Sequence, residues 1–364
     1  MNPQPTIQTA PPLANIESSE ISVIIQGNYM AGHSSGDLVA TSEVIASWRR
    51  ILPECQIILS IWEPPLSPPP SIDLLVVSQD PGPTVSGRGS KEINVGRQIR
   101  STHNGLKVAD RKYAIKTRTD ILPSGIGFIS LFLQPRERRP EFCILEHPIV
   151  TCSFCTLDPK KTGVHLHVSD IFHFGITADL LKLWDIVLPI VDQGQKYARM
   201  NKAGRALTVD QATLRPEQYI TLALIRKSNP ALDISYPQDS SLLVESQGES
   251  YVFNNFTIRH CSEIGIELPS RMTDPKFANR VYSACQIHHN EATLGNADAV
   301  DPMPPAEANF FSSTFENFRA MPHNLKAPFW LAGIAMVLQH PNIFWNTKKL
   351  KSWINYRQEG RRLT

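Results

Sequence analysis

Three short apolar runs stand in the first quarter of the chain: ISVIIQ at residues 21–26, QIILSIW at 56–62 and IDLLVVS at 72–78. Runs this brief, rich in isoleucine, leucine and valine, predict strands that are buried on both faces. Between the first two, Val39, Ser42 or Glu43, Ala46 and Arg50 follow the turns of a helix over 38–52, with Asp37 as N-cap and Pro53 as stop. Residues 91–120, KEINVGRQIRSTHNGLKVADRKYAIKTRTD, change period half way. Their first half predicts an amphipathic helix with Ile93, Ile99, Leu106 and Val108 as apolar positions and Arg97, Gln98, Arg100 and Ser101 elsewhere. Their second half predicts a strand that sets Tyr113, Ile115 and Thr117 against Ala114, Lys116 and Arg118 and stops on Asp120. Strand, helix, strand, strand, helix, strand within about 100 residues is the pattern of an α/β fold with a twisted, mostly parallel, doubly wound sheet flanked by helices.

Farther on, the pattern predicts a short helix over 126–134, a strand over 142–146 and an irregular stretch over 148–163. A polar and aromatic segment, HLHVSDIFHFG, occupies 165–175, and a helix follows over 178–191. Residues 192–213 read as a polar insertion. Pro216 then opens a helix to Lys227, with Glu217 where the helix dipole favours an acid. A strand over 250–253 and a short helix over 254–260 complete the series, and no internal repeat is present.

Composition narrows the function classes. An apolar content of 41% and a charged content of 19% in 364 residues are ordinary for a globular enzyme. A net charge of +2 argues against a nucleic-acid binder that works by bulk electrostatics. No apolar run reaches the ~18 residues of a membrane span. Residues 1–19 lack the basic start and apolar core of a signal peptide and read as a disordered leader. The six cysteines are most simply reduced thiols, which leads us to expect a cytoplasmic protein. Cys152 and Cys155 form a C-x-x-C without a second cysteine pair, so ordinary thiols outweigh a zinc site. Near the C-terminus, the apolar stretch 328–345 is interrupted by Gln339, His340, Pro341 and Asn342, and a basic segment with interleaved aromatics follows it. Such a tail suits a helix docked on its own domain, or peripheral contact with the anionic inner face of a membrane.

The chemistry concentrates around the strand that ends on Asp120. Ligands of open α/β sheets sit beyond the carboxyl ends of the strands. There Asp120 is a candidate ligand for a divalent cation, manganese or magnesium, and Arg118 a candidate partner for phosphate. The turn after the first strand, GNYMAGHSSG, is not a G-x-G-x-x-G fingerprint, and no G-x-x-x-x-G-K-[ST] loop occurs. Without either loop the sheet must hold phosphates differently, most simply by a cation on a carboxylate together with arginines.

The blocks ISVIIQG, SWRRILPECQIILSIWE, SQDPGP, INVGRQIRSTHNGLKVADRKYAIKTRTD, HVSDIFHFG, RPEQYI, NNFTI and GIELPSRM, in this order over residues 20–272, resemble the WavE lipopolysaccharide-synthesis family. The resemblance implies a GT-A-type catalytic domain over 20–272 that binds a nucleotide-sugar, with residues 273–364 as a partly helical extension facing the acceptor or a membrane. It implies transfer of a sugar to a glycan or lipid-linked glycan. In the D-x-D position typical of GT-A folds this chain has Arg118-Thr119-Asp120, with arginine in place of the first carboxylate. HFGITADLLKLW followed by PEQY is similar to a further GT-A pattern, which implies that Glu217 and Gln218 face the sugar or the acceptor.

On that basis Gln26 and Gly27 lie where a nucleotide base would sit, and Arg97 joins Arg118 as a phosphate candidate. Asp170 and Glu217 compete for the role of general base toward an acceptor hydroxyl, with His173 beside Asp170. Each has an ordinary alternative: a glycine needed for its backbone, a solvated arginine, an aspartate bonded to amides, a helix-terminal acid. The alternative for the whole chain is a catalytically degenerate scaffold of the same fold that binds a glycan or a partner enzyme. A nucleotidyltransferase is disfavoured, because no glycine-rich, lysine-arginine signature follows the first strand.

Overall fold

The structure, a computed structural model, describes residues 15–32, 39–82, 84–85, 92–188, 214–272 and 280–292. The first strand, β1 (Ile21–Gln26), leads to helix α1 (Thr41–Ile51), then β2 (Gln56–Ile61) and β3 (Leu74–Val77). A two-residue ladder, β4 (Thr84–Val85) with β5 (Glu92–Ile93), precedes α2 (Val95–Lys107) and β6 (Tyr113–Arg118). There follow β7 (Leu122–Pro123), α3 (Gly127–Leu133), β8 (Ile149–Cys152), α4 (Pro159–Thr162), β9 (His173–Ile176) and α5 (Thr177–Trp184). The rest comprises α6 (Pro216–Arg226), α7 (Leu242–Asn255), β10 (Phe256–Arg259), α8 (Cys261–Ile264), β11 (Ile266–Glu267) and α9 (Ala284–Ala292).

Seven of these strands form one sheet in the order β10-β8-β9-β6-β1-β2-β3. All neighbours pair in parallel except at β9, which runs antiparallel to both β6 and β8. The chain builds outward from β1 through β2 to β3, then returns to place β6 on the other side of β1. The order therefore reverses between β1 and β6, and the carboxyl ends of these two strands border the crevice where such sheets bind ligands.

Strand alternation assigns the two cores. Val23, Ile25, Ile57, Leu59, Tyr113 and Ile115 face one layer, with Val44, Ile45 and Trp48 of α1 and Phe128 of α3. Ile24, Ile58 and Ala114 face the other, with Ile99 and Leu106 of α2 and residues of α5, α6 and α7. This second face is the more polar one. It carries Ser22, Gln26, Gln56, Ser60 and Lys116 at buried positions. Small residues let α2 lie close upon it: a Cβ at Gly105 would stand 2.7 Å from Ile24 Cγ2 and 3.0 Å from Ser60 Cβ. The Ser60 hydroxyl donates to the Ser101 carbonyl at 2.6 Å, fixing the helix along the strand axis.

Several expected elements change type. The strand expected at 142–146 is a 3-10 turn, Pro140–Phe142, and a loop. Its amides go to side chains: Ile144 and Leu145 N–H donate to Asn255 Oδ1, and Glu146 and His147 N–H to the Asp179 carboxylate. The stretch expected to be irregular holds β8 and α4. The strand at 250–253 and helix at 254–260 are exchanged for a helix up to Asn255 and then strand β10. Ser241 starts that helix by accepting from Val244 N–H at 3.2 Å, while Phe256, Thr257 and Ile258 find a ladder on β8. Asn254 and Asn255, the start of the NNFTI block, clamp the loop at 139–145. Helix α5 stops at Trp184, short of the expected 191, and α1 begins at Thr41. Residues 280–292 return to the same core through Tyr282 and Ile287, and Glu291 pairs with Arg259 at 2.7 Å. Asp37, residues 1–14, the whole 192–213 insertion and the apolar and basic C-terminal stretches lie outside the described residues. Among the described residues no helix is long and apolar enough to cross a membrane.

Candidate functional site

At the end of β1 the backbone turns through Gly27 at φ +141°, a conformation that L side chains rarely adopt. Space forbids a side chain there as well, since a Cβ would lie 2.6 Å from Thr119 Oγ1. The Thr119 amide donates to the Gln26 carbonyl at 3.0 Å, so the ends of β1 and β6 are locked side by side. Gln26 is buried, and its side-chain oxygen accepts from Ser101 of α2 at 3.3 Å.

At the end of β6 the Arg118 guanidinium grips Asp120, two residues on, with a fork: Nε–H to Oδ1 at 2.9 Å and Nη2–H to Oδ2 at 2.9 Å. Burial is the largest influence and opposes the Arg118 charge, but the bonds to Asp120 together with the Asp120 and Asp170 charges outweigh it and hold its pKa above the usual value. On the same face of β6, Lys116 is wholly buried. Its ammonium donates to the Asp170 carbonyl and stands 4.9 Å from the centre of the Trp184 ring. Desolvation pulls its pKa down to about 8, although Asp170 works the other way.

Asp170 arrives at this edge because β9 runs antiparallel to β6. Lys116 pairs with His173 in register, so the residues that precede His173 extend past the carboxyl end of β6. Gln98 of α2 donates to Asp170 Oδ2 at 2.8 Å. From the opposite side the first turn of α6 brings in Glu217, 3.5 Å from His167 Nε2. His167 Nδ1–H is directed at the Cys155 carbonyl at 2.7 Å, which leaves Nε2 as the acceptor nitrogen. Burial lowers the His167 pKa to about 4, so the ring is neutral. Burial, and then the neighbouring Asp170 charge, push Glu217 up to about 8. A carboxyl that keeps its proton is a donor, and at 3.5 Å it stands close to the acceptor nitrogen of a neutral imidazole without bonding it.

The structure thus gathers Arg118, Asp120, Asp170 and Glu217 of the sequence-predicted set and adds Lys116, His167 and Gln98. It separates others from them. Arg97 forks Asp80 instead, with bonds of 2.7 and 2.6 Å, and lies over the Trp62 ring. Gln218 is fully buried and donates to the His165 and Pro237 carbonyls at 2.8 and 3.1 Å, a structural brace for α6 in place of the sugar contact expected of it. His173 accepts from Trp184 Nε1 at 3.1 Å and donates to the Ser169 carbonyl at 2.8 Å, so both ring nitrogens are committed and a general-base role is closed to it.

The donor set does not fit a resident divalent cation at Asp120. Both its oxygens accept from Arg118, and no group of three histidine, cysteine, aspartate or glutamate side chains converges among the described residues. In the C-x-x-C, Cys152 lies 3.1 Å from Ser169 Oγ and shares a hydrogen bond with the free thiol of Cys261, and burial raises the Cys155 thiol above its usual pKa.

Comparison with known proteins addresses the chain as a whole. No curated protein matches it. A family model described as WavE lipopolysaccharide synthesis matches residues 21–318, a span that includes every strand of the sheet and every member of the charged cluster. The chain therefore belongs to the WavE lipopolysaccharide-synthesis family.

Proposed function

We propose that the protein is a glycosyltransferase of GT-A type that moves a sugar from a nucleotide-sugar to a glycan or lipid-linked glycan acceptor in lipopolysaccharide synthesis. The observation that carries this reading is the meeting of Arg118, Asp120, Asp170 and Glu217 at the reversal point of the sheet, in a chain of this family. Arg118 is the charge that offsets the diphosphate, which makes the nucleoside diphosphate a better leaving group. Asp170 takes the proton of the acceptor hydroxyl as its oxygen bonds to the anomeric carbon and the bond from that carbon to the phosphate oxygen breaks. Glu217, protonated below about pH 8, serves as a hydrogen-bond donor and not as the base. Asp120 orients Arg118.

The test is a thermal-shift screen of the full chain against UDP, GDP, CDP and CMP, each with manganese, magnesium or EDTA. A nucleotide at 100 times its dissociation constant adds about 2.7 kcal/mol of stability. A shift that survives EDTA, and that Arg118→Met abolishes, is the expected result. A shift that EDTA abolishes moves the phosphate role to a cation on Asp120. The absence of any shift would favour the scaffold reading.

A further inference from the structure

Above the carboxyl ends of β2 and β3, Trp62, Asp80 and Arg97 form a cluster that the charged site does not use. The Arg97 guanidinium lies 5.5 Å from the centre of the Trp62 ring. In that position it presents two parallel N–H bonds to Asp80, Nε–H to Oδ1 at 2.7 Å and Nη2–H to Oδ2 at 2.6 Å. The loop that carries Asp80 is held in place: Gly82 N–H donates to Asp80 Oδ1 at 2.9 Å, Arg100 to the Gln79 carbonyl at 3.1 Å and Asn104 to Ser78 Oγ at 3.0 Å. An exposed ion pair contributes little to stability, so the fold does not need so well-fixed a carboxylate there.

A flat group lying over an indole, with two adjacent N–H donors turned to a carboxylate, is also the description of a bound guanine. Its N1–H and N2–H share one carbon, as the two donating N–H groups of a guanidinium do. The other common bases present a different edge. Uracil offers one N–H between two carbonyl oxygens, while cytosine and adenine set an amino group beside an acceptor nitrogen. Each of these would turn a lone pair toward one oxygen of Asp80. From β2 to β6 is two strand spacings, about 10 Å, so a base over β2 leaves its phosphates near Arg118.

We infer that Trp62 and Asp80 form a nucleobase recess selective for guanine, in which the base displaces Arg97 from Asp80 and releases its guanidinium toward the phosphates. The inference rests on the nucleotide-sugar reading above and names the donor class as a guanosine diphosphate sugar.

Calorimetric titration of the full chain with GDP, UDP, CDP and ADP at one salt concentration tests it. GDP is expected to bind about tenfold or more tighter than the other three, the discrimination of one good bidentate pair. Asp80→Asn, which replaces one acceptor oxygen by a donor, is expected to remove that preference while circular dichroism and the melting temperature stay as in the parent. Trp62→Ala is expected to weaken all four. Tighter binding of UDP, CDP or ADP overturns the guanine assignment and leaves the glycosyltransferase reading intact. An undiminished GDP preference in Asp80→Asn also overturns it. Failure of all four to bind removes both.

Discussion

Asp170 and Glu217 are two interacting carboxyl groups; burial, and then the charge on the first, makes ionisation of the second costly. Their roles separate accordingly. Asp170→Asn removes the base and is expected to lower the transfer rate by about 10²–10⁴-fold with nucleotide affinity retained. Glu217→Gln keeps the shape and the neutral state that Glu217 has below about pH 8, so most activity is expected to remain at pH 7. On the proposed mechanism, activity of the parent protein is expected to fall above that pH as Glu217 ionises and competes for the same proton, and in Glu217→Gln that fall is expected to be absent. Full pH–rate profiles of both variants decide the matter, and a Glu217→Gln variant as damaged at pH 7 as Asp170→Asn would reverse the assignment. Much of this pair was legible beforehand, since both acids were singled out from their segments. Lys116 and His167 were not. Lys116 carried a signal that went unused, because the alternation of YAIKTR places a lysine on a face where a buried central strand leaves it no route to water. His167 carried none: its contact with Glu217 joins residues 50 positions apart through a loop.

At the scale of elements, α2 is the part that ties the site together. Its residues Arg97, Gln98 and Ser101 reach Asp80, Asp170 and Gln26 in turn. Its seat depends on Gly105. Alanine there gains up to ~1 kcal/mol in helix propensity. Against this, its Cβ would meet Ile24 and Ser60 at 2.7 and 3.0 Å, an overpacking that costs about 1–3 kcal/mol. Overpacking wins, because the contacts are to a strand in the middle of the sheet. Gly105→Ala is therefore expected to lower stability by a net ~1 kcal/mol or more in urea unfolding and to weaken nucleotide binding, as the lifted helix draws Gln98 from Asp170. A variant more stable than the parent would show that the helix packs more loosely. Strands β1, β2 and β6 and helix α2 were legible because apolar period alone specifies them. The stretch from 140 to 147 was not, because the amides of residues 144–147 are satisfied by Asn255 and Asp179, side chains 30 or more residues away.

For the molecule as a whole, buried ionisable groups set how stability follows pH. His167 and His173, with pKa values brought by burial to about 4 and about 3, are neutral in the fold. An unfolded chain takes up protons at both from about pH 6.5 downward. As pH falls below 6.5 the unfolded state binds more protons than the folded state, and stability is lost. Glu217 has the opposite sign. Its folded pKa of about 8 lies above the ordinary 4.5, so the folded state holds an extra proton between these values and stability declines as pH rises through them. Between about pH 4.5 and 6.5 two histidines act against one glutamic acid, and the histidines prevail. From 6.5 to 8 the glutamic acid acts alone, because Lys116, lowered to about 8, begins to contribute only above that point. Stability is thus expected to peak near pH 6.5 and to decline toward pH 8 by about 2 kcal/mol at most. Urea unfolding of the full chain between pH 5 and 8 measures this directly. Glu217→Gln is expected to flatten the limb above 6.5 and leave the limb below it steeper, since the opposing acid is gone. A parent profile that rises steadily from pH 5 to 8 would place Glu217 in contact with water and with its charge intact, and would return it to candidacy as the base.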